Sequence, residues 1–244
     1  MKDVVLLGDR DASSPTHREL DAAIARFPDG VKGRWVGTDT AGASGTREAD
    51  ALWLVSGTPY RDDAAAYSAI TRARTSGQPF LGTCGGFQYA VVELARNVAG
   101  IAGAEHAETA PAATALVIER LSCSLVGQTR SVTAIPGTRM HRLCGGAPFD
   151  GFHWCNFGLA PAFVDRLVRH GLRVAAVGDE APVTTTMEVT KLERTDIPAT
   201  EVDVPADYIA VHTVAQLTAD HRPGEPGTKK PGTLRLGILP INTR

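Results

Sequence analysis

The feature that most narrows the folds open to this chain is a cysteine set among glycines, GTCGG at residues 82–86. An apolar run at 79–82 precedes it, and residues 87–98 follow with apolar side chains at helical spacing. A tight strand-to-helix turn needs glycines because larger side chains would collide there, and it lifts the central side chain clear of the sheet. The pattern therefore predicts a nucleophile elbow with Cys84 at its tip.

Short apolar runs alternate with helical patterns along the first hundred residues. The predicted strands lie at 4–7, 33–36, 51–55 and 79–82, and the predicted helices at 17–27, 61–75 and 87–98. Later strands are predicted at 115–119, 130–135, 172–177, 183–189 and 207–214, with a helix at 161–171. Such alternation is typical of a parallel sheet covered by helices on both faces. We predict an α/β fold with a mostly parallel central sheet flanked by helices.

Length and composition favour one globular domain followed by a tail. The chain has 244 residues, of which 43% are hydrophobic and 21% charged, as in ordinary globular proteins. We predict a single domain over residues 1–220, because α/β folds of this size commonly close around one core. Residues 221–244 are rich in proline, glycine and cations, and we expect a tail without regular helix there.

Charge and cysteine usage exclude several classes of partner. A net charge of −2 offers no field to recruit nucleic acid or an anionic membrane. We find no apolar run of membrane-spanning length and expect no signal peptide at the amino terminus. The four cysteines show no CxxC spacing. We expect a cytoplasmic protein that binds a small-molecule substrate without a metal or cofactor; a homo-oligomer is compatible with the sequence.

Residues 79–100, PFLGTCGGFQYAVVELARNVAG, resemble the nucleophile segment of the class I glutamine amidotransferase domain of CTP synthase. Weaker similarities follow in the same order at 104–108, 137–140, 157–161 and 171–176. The resemblance covers about residues 1–220 and implies a flavodoxin-like α/β domain. In that family a cysteine thiolate attacks the side-chain amide of glutamine and releases ammonia. No GxxxxGK phosphate loop occurs, so we expect that these residues alone do not make CTP.

The resemblance also assigns roles to individual residues. It implies that Cys84 is the nucleophile and that Gln88 and Glu108 contact the backbone of the substrate. Glu108 would hold the amino group of glutamine by charge. Read without the resemblance, Gln88 is an amide on a helix surface and Glu108 an exposed loop carboxylate, since such side chains are commonly solvated.

Two segments are expected to stabilise the oxyanion of the reaction. One is the amino end of the helix after Cys84, which begins at Gly85 and offers backbone donors. The other is the loop 56–60, which the resemblance places on the loop that lines the oxyanion site. Because proline at 59 has no N–H, donors in this loop must come from Gly57 or Thr58.

Several positions depart from the family pattern. Aligned through Ala210, Val214 and Gln216 fall on the catalytic histidine and glutamate. A valine cannot accept a proton, and a glutamine cannot stabilise an imidazolium. Asn156 falls on the arginine that pairs with the carboxylate of glutamine. We therefore expect slow or absent glutamine hydrolysis, and His212, on the same face of the predicted strand, is either a displaced base or an ordinary polar histidine.

Three functions are compatible with these residues. The first is a Cys84-dependent enzyme that acts on another small amide or carbonyl compound by hydrolysis, transfer or isomerisation. The second is a free-standing glutaminase subunit that supplies ammonia to a separate synthetase. The third is a catalytically inactive binding or regulatory relative. The intact elbow favours an enzyme, and the loss of glutamine-specific groups favours the first function.

Overall fold

The computed structural model describes residues 1–42, 45–144, 146–178, 184–189 and 208–211. Three positions singled out in the sequence, His212, Val214 and Gln216, lie outside the described residues, as does the predicted tail at 221–244. The predictions for them therefore stay predictions.

The elements follow the predicted alternation closely through the first half of the chain. In chain order they are β1 (Lys2–Leu7), α1 (Pro15–Ile24), β2 (Val31–Val36), β3 (Ala51–Leu54), α2 (Asp63–Ser76), β4 (Phe80–Thr83), α3 (Gly85–Asn97), β5 (Ala104–His106), β6 (Ala115–Arg120), β7 (Gln128–Ala134), α4 (Arg139–Cys144), β8 (Phe149–His153), β9 (Phe157–Leu159), α5 (Pro161–Arg169), β10 (Leu172–Gly178), β11 (Thr184–Val189) and β12 (Tyr208–Val211). The predicted α/β class is confirmed.

Within the described ranges, nine strands form the central sheet in the order β2-β1-β3-β4-β12-β11-β10-β7-β8. The five strands from β2 to β12 are parallel, and they include β4, which leads into Cys84. From β12 onwards each pair is antiparallel. Parallel neighbours need long crossovers, and α1 and α2 supply them between β1 and β2 and between β3 and β4. The predicted parallel sheet thus surrounds Cys84, and an antiparallel extension completes it.

A separate small sheet packs beside the central one in the order β5-β6-β9. Strands β5 and β9 have three residues each, and neither was predicted. Strands this short leave too few positions for an alternating pattern to be read. The small sheet matters because β5 and β9 bring His106 and Phe157 to Gln88, near the amino end of α3.

The core lies on both faces of the parallel strands. In β1, Val5 and Leu7 belong to the cluster formed with α2 and α3, whereas Val4 and Leu6 belong to the cluster that includes Leu20 of α1. Successive side chains of a strand point to opposite faces, so a strand covered on both sides is apolar throughout. No helix in the described part of the chain has the length and apolar character needed to cross a membrane.

Candidate active site

Cys84 occupies the turn between β4 and α3, as the glycine pattern predicts. Its backbone angles are φ 51° and ψ −116°, a region that a residue with a side chain rarely adopts. Among the residues that the structure describes, it is the one non-glycine residue with positive φ. Strain of this kind is typical of positions that serve a function, because surrounding contacts must hold the backbone there.

The glycines of the turn are required by close backbone approaches. A Cβ atom at Gly82 would lie 2.7 Å from the carbonyl oxygen of Gly86. At Gly85 it would lie 2.2 Å from Cγ2 of Thr58, and at Gly86 2.0 Å from the carbonyl oxygen of Leu54. These distances are far shorter than ordinary contacts, so any larger residue would push the helix away from β3.

The sulfur of Cys84 lies near the sulfur of Cys155, the carbonyl oxygen of Trp154 and the N–H of Gly85. The sulfur of Cys155 lies 3.3 Å away, and the carbonyl oxygen of Trp154 lies 4.0 Å away. The hydrogen bond from the Cys155 thiol lowers the pKa of Cys84, and the N–H of Gly85 adds to this effect. Desolvation and the charge of Glu108 act in the opposite direction, and the net shift of the pKa is downward.

Cys155 is the buried partner in this contact. Donation of its thiol hydrogen to Cys84, together with burial, raises the pKa of Cys155 well above its ordinary value. Its carbonyl oxygen accepts a hydrogen bond from the N–H of Leu125 at 3.0 Å, and that of Asn156 accepts one from Leu121 at 2.8 Å. The backbone of this connection between β8 and β9 is therefore fixed opposite the elbow. This contact between Cys84 and Cys155 was not predicted from the sequence.

Thr58 and Glu108 lie together beside the elbow. The hydroxyl of Thr58 donates to Oε2 of Glu108 at 2.9 Å. Thr58 also packs on Gly85 through its methyl group. Glu108 is exposed, so its carboxylate is accessible to a ligand that approaches Cys84.

A buried histidine holds the loop that contains Gly57. Nε2 of His17 lies 2.9 Å from the carbonyl oxygen of Ser56, and Nδ1 accepts the N–H of Asp11 at 2.8 Å. Because Nδ1 accepts, Nε2 carries the hydrogen and donates to Ser56. No sequence pattern singles out His17, since its partners are backbone groups of Asp11 and Ser56.

Gln88 takes part in a buried hydrogen-bond chain that leads to Glu108. Its Nε2 donates to the carbonyl oxygen of Phe157 at 2.9 Å, and its Oε1 lies 2.9 Å from Nε2 of His106. Nδ1 of His106 accepts the N–H of Glu108 at 3.0 Å. Burial lowers the pKa of His106 to about 4, so the ring is neutral at neutral pH. Gln88 thus orients the segment that carries Glu108, and direct contact with a substrate stays a prediction.

Two predicted positions remain, Asn156 and His212. Asn156 is half-buried next to Cys155. The described part of β12 ends at Val211, which pairs with Thr83, the residue before Cys84. His212 follows Val211 in the sequence. Within the described ranges, no group of three or more His, Cys, Asp or Glu residues is arranged to hold a metal ion.

In sequence, the chain is similar to CTP synthases. No protein-family model matches the sequence. The chain is 34% identical over 185 residues to the CTP synthase of Halobacterium salinarum, which covers 70% of this chain and 34% of that protein. It is 33% identical over 159 residues to the CTP synthase of Thermus thermophilus, which covers 60% of this chain and 29% of that protein. The chain thus spans about a third of the length of the curated relatives that it matches.

Solved structures agree with the sequence comparison. The glutaminase domain of Trypanosoma brucei CTPS, solved with bound acivicin, aligns over 88% of this chain and 86% of that chain, with a TM-score of 0.71 and 17% identity. The chain carries a class I glutamine amidotransferase domain. A glutamine amidotransferase from Thermotoga maritima has the same fold, with a TM-score of 0.54 and 11% identity over 88% of this chain and 76% of that one.

In this amidotransferase domain, Cys84 is expected to be the most reactive of the four cysteines. An ordinary thiol with a pKa near 8.5 is only a few per cent thiolate at pH 7, whereas the lowered pKa of Cys84 keeps more of it ionised. Iodoacetamide labelling at pH 6.5, followed by peptide mapping, measures the order of reaction. Cys123 is exposed and controls for simple accessibility. Earlier labelling of Cys123 would contradict the assignment.

Proposed function

We propose that this domain is an acyl-transfer or hydrolytic enzyme that uses the Cys84 thiolate as nucleophile on a small amide or carbonyl substrate. The observation that carries the proposal is the strained elbow, where the N–H of Gly85 and the Cys155 thiol stabilise the negative charge on the Cys84 sulfur. A thiolate is the reactive form of cysteine, and contacts of this kind are typical of catalytic thiols.

The proposed reaction begins with attack of the Cys84 sulfur on the carbonyl carbon of the substrate. The carbonyl oxygen then carries a negative charge, and the N–H groups of Gly57 or Thr58 and of the amino end of α3 are the proposed donors that stabilise it. The amine or other leaving group departs with a proton, and a thioester is left on Cys84. Water or an acceptor then releases the acyl group. His212 is the proposed proton carrier.

Glutamine is a poor candidate for this substrate. On the resemblance, Val214 and Gln216 replace the histidine and glutamate of the triad, and Asn156 replaces the arginine that binds the carboxylate of glutamine. A general base typically contributes about 10²–10⁴-fold to the rate. Loss of one charge-assisted contact costs on the order of 2–3 kcal/mol, or roughly a hundredfold in binding. Binding of glutamine is therefore weakened, and its hydrolysis depends on His212 as the replacement for the family base.

The second candidate function is a glutaminase subunit that supplies ammonia to a separate synthetase. Its support is the similarity to CTP synthases and to a CTPS glutaminase domain, together with an exposed Glu108 carboxylate suited to an amino group. An inactive relative is less favoured. Backbone strain of the Cys84 kind typically costs about 1–3 kcal/mol, which a protein without a reactive thiol has no reason to keep.

An activated ester tests the proposed thioester directly. Wild-type protein mixed with p-nitrophenyl acetate is expected to release a burst of nitrophenolate and to gain one acetyl group on Cys84, detected by intact mass and peptide mapping. Cys84→Ala should lose both signals, and Cys123→Ser, which alters an exposed thiol, should keep them. An acetyl group that persists in Cys84→Ala would contradict the proposal.

A glutaminase assay then separates the two candidate functions. For the wild type we expect turnover of glutamine below about 0.1 s⁻¹, a hundredfold under the typical enzyme value of about 10 s⁻¹. Ordinary turnover that vanishes in Cys84→Ala would establish the glutaminase instead. If it also vanished in His212→Ala, His212 would be the base; if it survived there, another residue would hold that role.

A further inference from the structure

The contact between Cys84 and Cys155 is closer than catalysis by one thiol requires. The two sulfurs lie 3.3 Å apart although 71 positions separate the residues in the sequence. The turn between β4 and α3 fixes the backbone of Cys84, and the hydrogen bond from the N–H of Leu125 to the Cys155 carbonyl oxygen fixes the backbone of Cys155. The fold itself therefore brings these thiols together.

We propose that Cys84 and Cys155 form a peroxide-reactive dithiol site, in which a hydroperoxide oxidises Cys84 and Cys155 completes the reaction by forming a reversible disulfide. Reactive redox cysteines are commonly accessible thiolates next to a second, resolving cysteine. Cys84 is partly accessible and Cys155 is buried behind it, which matches these two roles.

Two balanced steps make up the proposed chemistry. The Cys84 thiolate attacks the hydrogen-bearing oxygen of the hydroperoxide, so that an S–O bond forms and the O–O bond breaks. The other oxygen takes up from solvent the proton that the Cys84 thiol released on ionisation, and it leaves as water or an alcohol. The sulfur loses two electrons and becomes a sulfenic acid. The Cys155 sulfur then attacks the Cys84 sulfur; an S–S bond forms, the S–O bond breaks, and the Cys155 proton leaves with the hydroxyl as water. A dithiol reductant restores both thiols by exchange.

The environment of each sulfur suits its step. The lowered pKa of Cys84 favours the thiolate that attacks peroxide. In the reduced pair, the hydrogen bond to the Cys84 sulfur and burial raise the pKa of Cys155, so Cys155 keeps its proton while Cys84 ionises and meets the peroxide. A disulfide bond is about 2.05 Å long, so the sulfurs must approach by only about 1.3 Å. Rotation of the two side chains about their Cα–Cβ bonds can supply an approach of this size while the hydrogen-bonded backbone at Cys155 stays in place.

Oxidation of this pair would also control the site. A Cys84 sulfur held in a disulfide cannot attack a carbonyl carbon, so the acyl chemistry would stop until a reductant restored the thiol. This consequence rests on the proposed function, whereas formation of the disulfide does not.

Hydrogen peroxide is the probe for this proposal. The reduced full chain is treated with peroxide, the remaining thiols are alkylated, and peptides are mapped by mass spectrometry. We expect a Cys84–Cys155 cross-link that dithiothreitol reverses. Cys144→Ser, which leaves the pair intact, should form the same cross-link. In Cys155→Ser we expect dimedone to trap Cys84 sulfenic acid at least about 10-fold more than in the wild type, because no thiol resolves it.

Peroxide treatment of the wild type that yields sulfinic acid or dimedone adducts without a Cys84–Cys155 cross-link would overturn the proposal, and this result does not depend on the folding of any variant. A cross-link in a protein that p-nitrophenyl acetate does not acylate would support the dithiol site and contradict the proposed function. Acylation of Cys84 without any cross-link would overturn the dithiol site alone.

Discussion

Gly86→Ala is expected to destabilise the protein by at least about 3 kcal/mol and to lower its melting temperature by about 6–12 °C. A Cβ atom at Gly86 would lie 2.0 Å from the carbonyl oxygen of Leu54 and 2.6 Å from the carbonyl carbon. These are backbone atoms at the end of β3, which is paired with β4 in the middle of the sheet. They cannot move aside as a flexible side chain would, so α3 must shift away from the sheet.

Thermal and urea unfolding followed by circular dichroism measure this effect. Gly103→Ala is the matched control, because a Cβ atom there meets no atom within 4 Å and its backbone conformation is ordinary. That control is expected to change stability by less than about 0.5 kcal/mol. A Gly86→Ala protein that melts within 2 °C of the wild type, on the order of 1 kcal/mol or less, would contradict the close approach of α3 to β3.

The same contact explains why the elbow could be predicted from the sequence. The steric need for small residues at Gly82, Gly85 and Gly86 is local, and an apolar strand and an amphipathic helix flank them. The parallel sheet was predictable for a similar reason, since α1, α2 and α3 directly follow β1, β3 and β4 in the first half of the chain. Local patterns therefore sufficed for the fold around Cys84.

Contacts made by backbone groups far apart in the sequence could not be predicted. Cys155 reaches Cys84 because Leu125 and Leu121 fix the backbone of its loop, and these hydrogen bonds leave no pattern in the residue types. His17 is bonded to a carbonyl oxygen and an N–H, groups that every residue except proline carries. The role of Asn156 rests on the resemblance alone.

A second large effect on stability is expected at the ion pair between Arg74 of α2 and Glu93 of α3. In this pair the side chain of Glu93 is 1% exposed and that of Arg74 is 15% exposed. Nε of Arg74 donates to both carboxylate oxygens at 3.0 Å, and the terminal nitrogen donates at 2.7 Å. Thr71 and Asn97 donate to the same carboxylate at 3.0 and 2.9 Å. The carboxylate is thus buried and depends on Arg74 for its compensating charge.

Arg74→Met is therefore expected to cost about 3–5 kcal/mol, because it leaves the buried carboxylate of Glu93 without a cation. Equilibrium urea unfolding gives the free energy of unfolding for each variant. The double variant Arg74→Met/Glu93→Leu removes the charge as well, and Thr71 and Asn97 lie near enough to the surface to bond to water. Replacement of both charges by apolar groups is often neutral, so most of the lost stability should return.

Arg61→Met provides the control for loss of an exposed ion pair. Arg61 and Asp39 are 65% and 46% exposed and lie 3.5 Å apart, so the loss should stay below about 1 kcal/mol. If Arg74→Met cost no more than Arg61→Met, the carboxylate of Glu93 would have to be hydrated, and α3 would not be clamped at this point. If the double variant were as unstable as Arg74→Met, the cost would lie in lost packing of the arginine stem rather than in the unpaired charge. The double variant therefore decides whether the Arg74–Glu93 charge pair or the packing of the arginine stem holds α3 against α2.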